Sequence, residues 1–178
     1  MLNEGKKFER DIKNSIPIGC YYYRLKDPAQ SFGTNENLRF SQKNPYDSIL
    51  YSYPLFYAIE LKTTGTNAFS FWKDGLPEKG SYNIKKHQIE GLKKASETKG
   101  VMAGLILNFR STERTYYISI ENFCKLTSGI NKKSINENDI KSYALLVEQK
   151  KLRTSYKYDL EKLITHIERN YSDLCSIS

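Results

Sequence analysis

Three charged side chains stand where strand residues are more often apolar or neutral: Asp47, Glu60 and Lys62, in the stretch NPYDSILYSYPLFYAIELKTT from Asn44 to Thr64. With Ser52 to Leu55 as a turn between two strands, Tyr51 faces Phe56, Ile49 faces Ala58 and Asp47 faces Glu60. Cβ atoms of a cross-strand pair lie about 4.5 to 5.5 Å apart, where two carboxylates repel unless a cation or proton offsets them. Glu60 and Lys62 are two positions apart, so both leave one strand face, roughly 6.6 Å from each other. A hard divalent cation such as Mg²⁺ prefers oxygen ligands, commonly one or two carboxylates plus water and phosphate, which Asp47 and Glu60 can provide. Bound there, it would activate water and offset charge on a phosphoryl transition state, with Lys62 orienting the nucleophile or stabilising the developing anion. A slip of one residue would put the acids on opposite faces. An Asp in a turn followed by an ordinary surface Glu/Lys pair fits the same spacing.

Several elements must position these residues. Asn3 can cap a first helix, about Glu4 to Ser15, with Phe8 and Ile12 four apart and Pro17 and Gly19 ending it. The aromatic run from Tyr21 to Lys26 reads as a strand, and the polar stretch 27–44 as a loop or protruding excursion. Beyond the hairpin, NAFSFW is a short candidate strand. Asn83 is a candidate cap for a helix running to about Lys99, stopped by Gly100, with Ile84, Ile89, Leu92 and Ala95 as its apolar marks. VMAGLILNF is apolar throughout, as in a strand covered on both faces, and TYYISI should pair with it antiparallel. A short helix is expected at about Glu121 to Leu126. The last helix has Leu160, Leu163, Ile164, Ile167 and Tyr171 at helical spacing, a stripe expected to pack. This order gives an α/β fold, a mixed sheet covered by helices, expected to form one domain over 1–178 with 131–178 as a helical extension.

A chain of 178 residues can bury a real core, and 28 Lys+Arg against 20 Asp+Glu give a formal charge of +8, which favours a polyanionic partner such as nucleic acid or an anionic membrane surface. Cys20, Cys124 and Cys175 are far apart and form no Cys-x-x-Cys or Cys/His cluster, so neither a disulfide framework nor a zinc site is expected. A reducing, cytoplasmic setting fits, and no segment approaches the ~18 apolar residues of a membrane span.

The pair PYD at Pro45 to Asp47 and ELK at Glu60 to Lys62 resembles the PD-(D/E)xK nuclease signature. Joined to NEGKKFE at Asn3 to Glu9, NIKKHQIEGLKKA at Asn83 to Ala95 and GVMAGLILNFRS at Gly100 to Ser111, it resembles the RecU-type Holliday-junction resolvases. NKKSINENDI at Asn131 to Ile140 and YKYDLEKLI at Tyr156 to Ile164 extend the likeness over nearly the whole chain. The resemblance implies a restriction-endonuclease-like core and a homodimeric, Mg²⁺-dependent endonuclease, with Mn²⁺ as a possible substitute. Such an enzyme nicks strands of opposite polarity symmetrically at a four-way junction, in recombination and repair. It further implies that Asp47 and Glu60 are the metal-binding acids, Lys62 the catalytic lysine and Glu9 the acid of the first helix. Gln88 would hold a phosphate or the attacking water.

One departure is the segment that corresponds to the family's junction-entering stalk, short here at 27–44. Arg24, Lys26, Arg39 and Lys43 make its base and tip electropositive and are candidate phosphate contacts. With Lys62 and a metal available, His87 is expected to pack or hydrogen-bond rather than to act as a base, and His166 to be structural. Two other readings fit the residues: a restriction-type or nicking PD-(D/E)xK nuclease, and a non-catalytic DNA-binding module using the charge and the 14 tyrosines.

Overall fold

The structure is a computed structural model and describes residues 3–26 and 43–176. In chain order its elements are α1 (Glu4–Lys13), β1 (Tyr21–Arg24), β2 (Ser48–Ser52), β3 (Leu55–Thr64), β4 (Ala68–Ser70), α2 (Lys86–Ser96), β5 (Val101–Phe109), β6 (Arg114–Ser119) and α3 (Ile120–Gly129). There follow β7 (Ser134–Asn136), α4 (Glu137–Ile140), β8 (Leu145–Val147), β9 (Gln149–Lys151), β10 (Tyr156–Tyr158) and α5 (Leu160–Ser176). Six strands form one mixed sheet in the order β1-β2-β3-β5-β6-β8, the α/β class expected from the sequence.

The hairpin has the expected register. Ile49 pairs with Ala58, Tyr51 with Phe56 and Ser52 with Leu55, so Tyr53 and Pro54, joined by a cis peptide bond, form the tip. β3 then pairs in parallel with β5 through the α2 crossover, and β6 returns antiparallel to β5. Most of β3 and nearly all of β5 is buried, because both faces of these central strands are largely covered. Ala58, Ala103, Leu105 and Leu107 pack with Ile89 and Leu92 of α2 on one side. Leu50, Tyr57, Ile59 and Ile106 pack with Phe8 and Ile12 of α1 and with Leu163, Ile164 and Ile167 of α5 on the other.

Boundaries moved where side chains found tertiary partners. Asn83 does not cap α2; its carboxamide oxygen accepts from the Ser70 amide at 2.8 Å and ties the loop to β4. The helix starts instead at Lys86, with the Gln88 Oε1 accepting from the Lys85 amide at 2.9 Å. α3 is longer than the expected Glu121 to Leu126, and Ser119 caps its start by accepting from the Asn122 amide.

The expected helical extension over 131–178 is corrected. Four short strands and one turn of helix precede α5. β8 closes the sheet edge against β6, β7 pairs with the distant β4, and β9 pairs with β10. Strands of three residues show no readable period and acquire their pairing from the rest of the fold.

Candidate active site

β3 presents Phe56, Ala58, Glu60 and Lys62 on the face that α2 covers, since alternate residues share a face. Asp47 lies just before β2, its amide donating to Ile59 O at 3.1 Å and its carbonyl accepting from the Leu25 amide at 2.8 Å. The Asp47 carboxylate turns onto β3, where Oδ2 accepts from the Leu61 amide at 2.8 Å. Asp47 is thus held by backbone on three sides, next to Glu60.

Glu60 is fully buried. Its Oε1 meets the Lys62 Nζ at 2.7 Å and also accepts from the Gln88 Nε2. The other oxygen, Oε2, is buried with no hydrogen-bond partner among the described residues. Burial pushes the carboxyl up to about 8; Lys62 acts against that shift and the Asp47 carboxylate adds to it. An orphaned buried carboxyl oxygen beside a second acid is a group that a cation or a proton would satisfy. Among the described residues no group of three or more His, Cys, Asp or Glu side chains gathers to hold a metal. A two-carboxylate set suits Mg²⁺, which keeps most of its shell as water and phosphate.

Gln88 is positioned by α2 and engaged at both ends of its carboxamide, the oxygen on the helix cap and the nitrogen on Glu60. His87, beside it, has its pKa lowered by burial and by the positive charge of Lys43, Lys85 and Lys62, which favours a neutral imidazole. Of the other expected site residues, Glu9 is not on Glu60; its Oε2 accepts from the Arg24 Nε at 2.6 Å. It remains near the site, because Tyr22, whose pKa burial raises, is raised further by both Glu9 and Asp47. Arg24 is accordingly engaged, and it also donates to Leu25 O. Lys26 and Lys43 are exposed. They flank residues 27–42 in the chain, and beside them Asn44 Nδ2 donates to Lys26 O at 2.8 Å. Arg39, with the rest of the expected stalk, lies outside the described residues.

Two positions that matter to this geometry had no sequence signal of their own. Gly91 of α2 lies so close to the segment ahead of Asp47 that a Cβ there would sit 2.4 Å from Pro45 Cβ and 2.7 Å from Pro45 O. With Gln88 three residues earlier on the same helix face, α2 thus bears on both acids. Tyr22 is the other, reading as one more aromatic strand residue until its neighbours are known.

The family model described as Recombination protein U matches residues 79–166, a span that holds Gln88 and Gly91 but begins after the hairpin. The SPbeta prophage-derived uncharacterized protein YotM of Bacillus subtilis (strain 168) is 29% identical over 175 residues, covering 90% of this chain and 85% of that protein. A solved structure, Archaeoglobus fulgidus Hjc, described as a Holliday junction resolvase from an archaeal hyperthermophile, matches with a TM-score of 0.49 and 16% identity. That match covers 80% of this chain and 95% of Hjc. Over residues 79–166 the chain is therefore similar to the Recombination protein U family, the likeness its sequence motifs led one to expect.

Proposed function

We propose that this protein is a divalent-metal-dependent endonuclease that resolves Holliday junctions, acting as a homodimer of single-domain subunits that each make one of two paired nicks. The observation that carries the chemistry is the orphaned Oε2 of fully buried Glu60, set beside Asp47 and within reach of Lys62. Asp47 and Glu60 would hold the cation, Mg²⁺ or in its place Mn²⁺. Once bound, such a cation supplies Lewis-acid stabilisation of the phosphoryl oxygens and a more acidic water.

The chain's own residues do the rest. The Leu61 amide and the backbone contacts of Asp47 fix one carboxylate. Gln88 fixes the other by donating to Oε1. Lys62 places a positive charge where charge develops on the phosphate, and its ammonium now rests on the Glu60 oxygen. Glu9 sets Arg24 at the rim of the site, where Arg24, Lys26, Lys43 and Arg39 would contact backbone phosphates. The match to the Recombination protein U family supports a four-way junction as substrate, and a junction with two-fold symmetry calls for two sites related by a two-fold axis.

The test is cleavage of an immobile four-way junction, a flap and a linear duplex, with Mg²⁺, with Mn²⁺ and with EDTA. Wild type should cut the junction in paired, symmetric positions and only with metal, and Asp47→Ala and Lys62→Ala should lose at least about 100-fold. Equal rates on all three substrates would remove junction selectivity. Undiminished cutting by both variants would remove the site.

A further inference from the structure

Among the described residues, nothing covers one part of the sheet face that carries Glu60. Pairing places Tyr21, Tyr51 and Phe56 in one row across β1, β2 and β3, and Tyr23, Ile49 and Ala58 in the next. α2 packs over Ala58 and Ala103, toward the β3 and β5 side, and leaves the rest open. Tyr21 is 60% exposed, Tyr23 45%, Phe56 48% and Tyr53 at the hairpin tip 83%. The Tyr51 and Phe56 rings pack at 4.6 Å between centroids, so they present a preformed surface. Neither row carries a charged side chain.

We infer that this aromatic face is where a second copy of the chain docks, an inference that rests on the proposed homodimer and names its surface. At roughly 200 Å² per ring, the four exposed aromatics offer about 450 Å². That is more than half of the ~800 Å² each partner contributes to a standard interface. Aromatic residues are enriched at interface centres, and charges are depleted there. A DNA backbone would want the opposite. The cations Arg24, Lys26, Lys43 and Lys62 all lie toward the Asp47 and Glu60 end of these strands. Phe56 is four residues from Glu60 on β3, about 13 Å along the strand. Docking there keeps each active site off the contact but close to the two-fold axis.

The test is sedimentation equilibrium of the full chain without DNA or metal, comparing wild type with Tyr53→Glu and Phe56→Glu. Leu146→Glu, on the far edge strand and 56% exposed, serves as the control. Wild type and Leu146→Glu should be dimers at micromolar concentration. Each hairpin variant should weaken dimerisation at least ~30-fold while its melting temperature, measured where both species are monomeric, stays within a few degrees. A monomeric wild type overturns the proposal, as it would if residues 27–42 or another molecule covers the face. So do hairpin variants that dimerise like wild type, including ones that lose only DNA affinity. Because neither DNA nor metal is present, a dimer that fails to cut junctions would count against the proposed function and leave this surface standing.

Discussion

Gln88 on α2 and Glu60 on β3 are joined by one hydrogen bond, and the same Gln88 carboxamide closes the first turn of its own helix through the Lys85 amide. One side chain therefore ties helix register to carboxylate position. Gln88→Ala removes the cap, costing about 1 kcal/mol of stability. It also takes from Glu60 Oε1 the donor it shares with the Lys62 ammonium. Junction cleavage should fall on the order of 10-fold or more while junction binding without metal is retained. Gln88→Glu should be worse, because it places a third carboxylate against Glu60. Cleavage rates beside filter-binding affinities separate the two effects.

Glu60 makes stability depend on pH in an unusual direction for a carboxyl group. Its pKa rises from an ordinary value near 4.5 to about 8 in the folded protein, mainly through burial. The folded state therefore holds the proton more tightly than the unfolded state. Its contribution is fully present below pH 4.5 and is lost as pH rises through 8. Without divalent cation, this one group should cost roughly 3 to 5 kcal/mol across that window. Urea titrations at pH 5 and pH 8.5 should show the loss, and Glu60→Gln should flatten it. Mg²⁺ should raise the melting temperature more at pH 8.5 than at pH 5, because it binds the deprotonated carboxylate.

Much of this was readable from local pattern. With Ser52 to Leu55 as the turn, the sequence makes Asp47 and Glu60 neighbours, and the hairpin has that register. The α2 crossover followed from a helical period between two apolar runs. The strands of 131–158 were not readable, since each is three residues long and pairs with strands far away in sequence. Nor was the role of Gly91, whose missing Cβ matters only because Pro45 presses on it across the fold.

Gly91→Ala isolates that contact. In a helix interior alanine normally gains about 1 kcal/mol over glycine. Here the new methyl would lie 2.4 Å from Pro45 Cβ and 2.7 Å from its carbonyl oxygen, so backbone must shift. A net loss of about 1 to 3 kcal/mol is expected, together with reduced cleavage as the segment leading into Asp47 moves. Gly129→Ala, in α3 with open space around it, should be neutral or slightly stabilising. Thermal melts of the two proteins make the comparison.

Asn108 tests whether scaffold and site can be separated on one strand. Its Oδ1 accepts from the Thr63 hydroxyl at 2.8 Å, and its Nδ2 donates to Thr115 Oγ1 at 2.8 Å. The Thr115 hydroxyl in turn donates to Gln149 Oε1 at 2.6 Å, so the chain of bonds links β3 through β5 and β6 to β9. Asn108→Leu leaves the Thr63 hydroxyl unsatisfied and takes a donor from fully buried Thr115, which should cost about 2 to 4 kcal/mol in urea unfolding. Thr63 leaves β3 on the face opposite Lys62, because neighbouring residues alternate. The folded variant at low temperature should therefore cut within about threefold of wild type, a change under 1 kcal/mol in the barrier. A large fall in cleavage with little loss of stability would place Asn108 in the catalytic machinery instead.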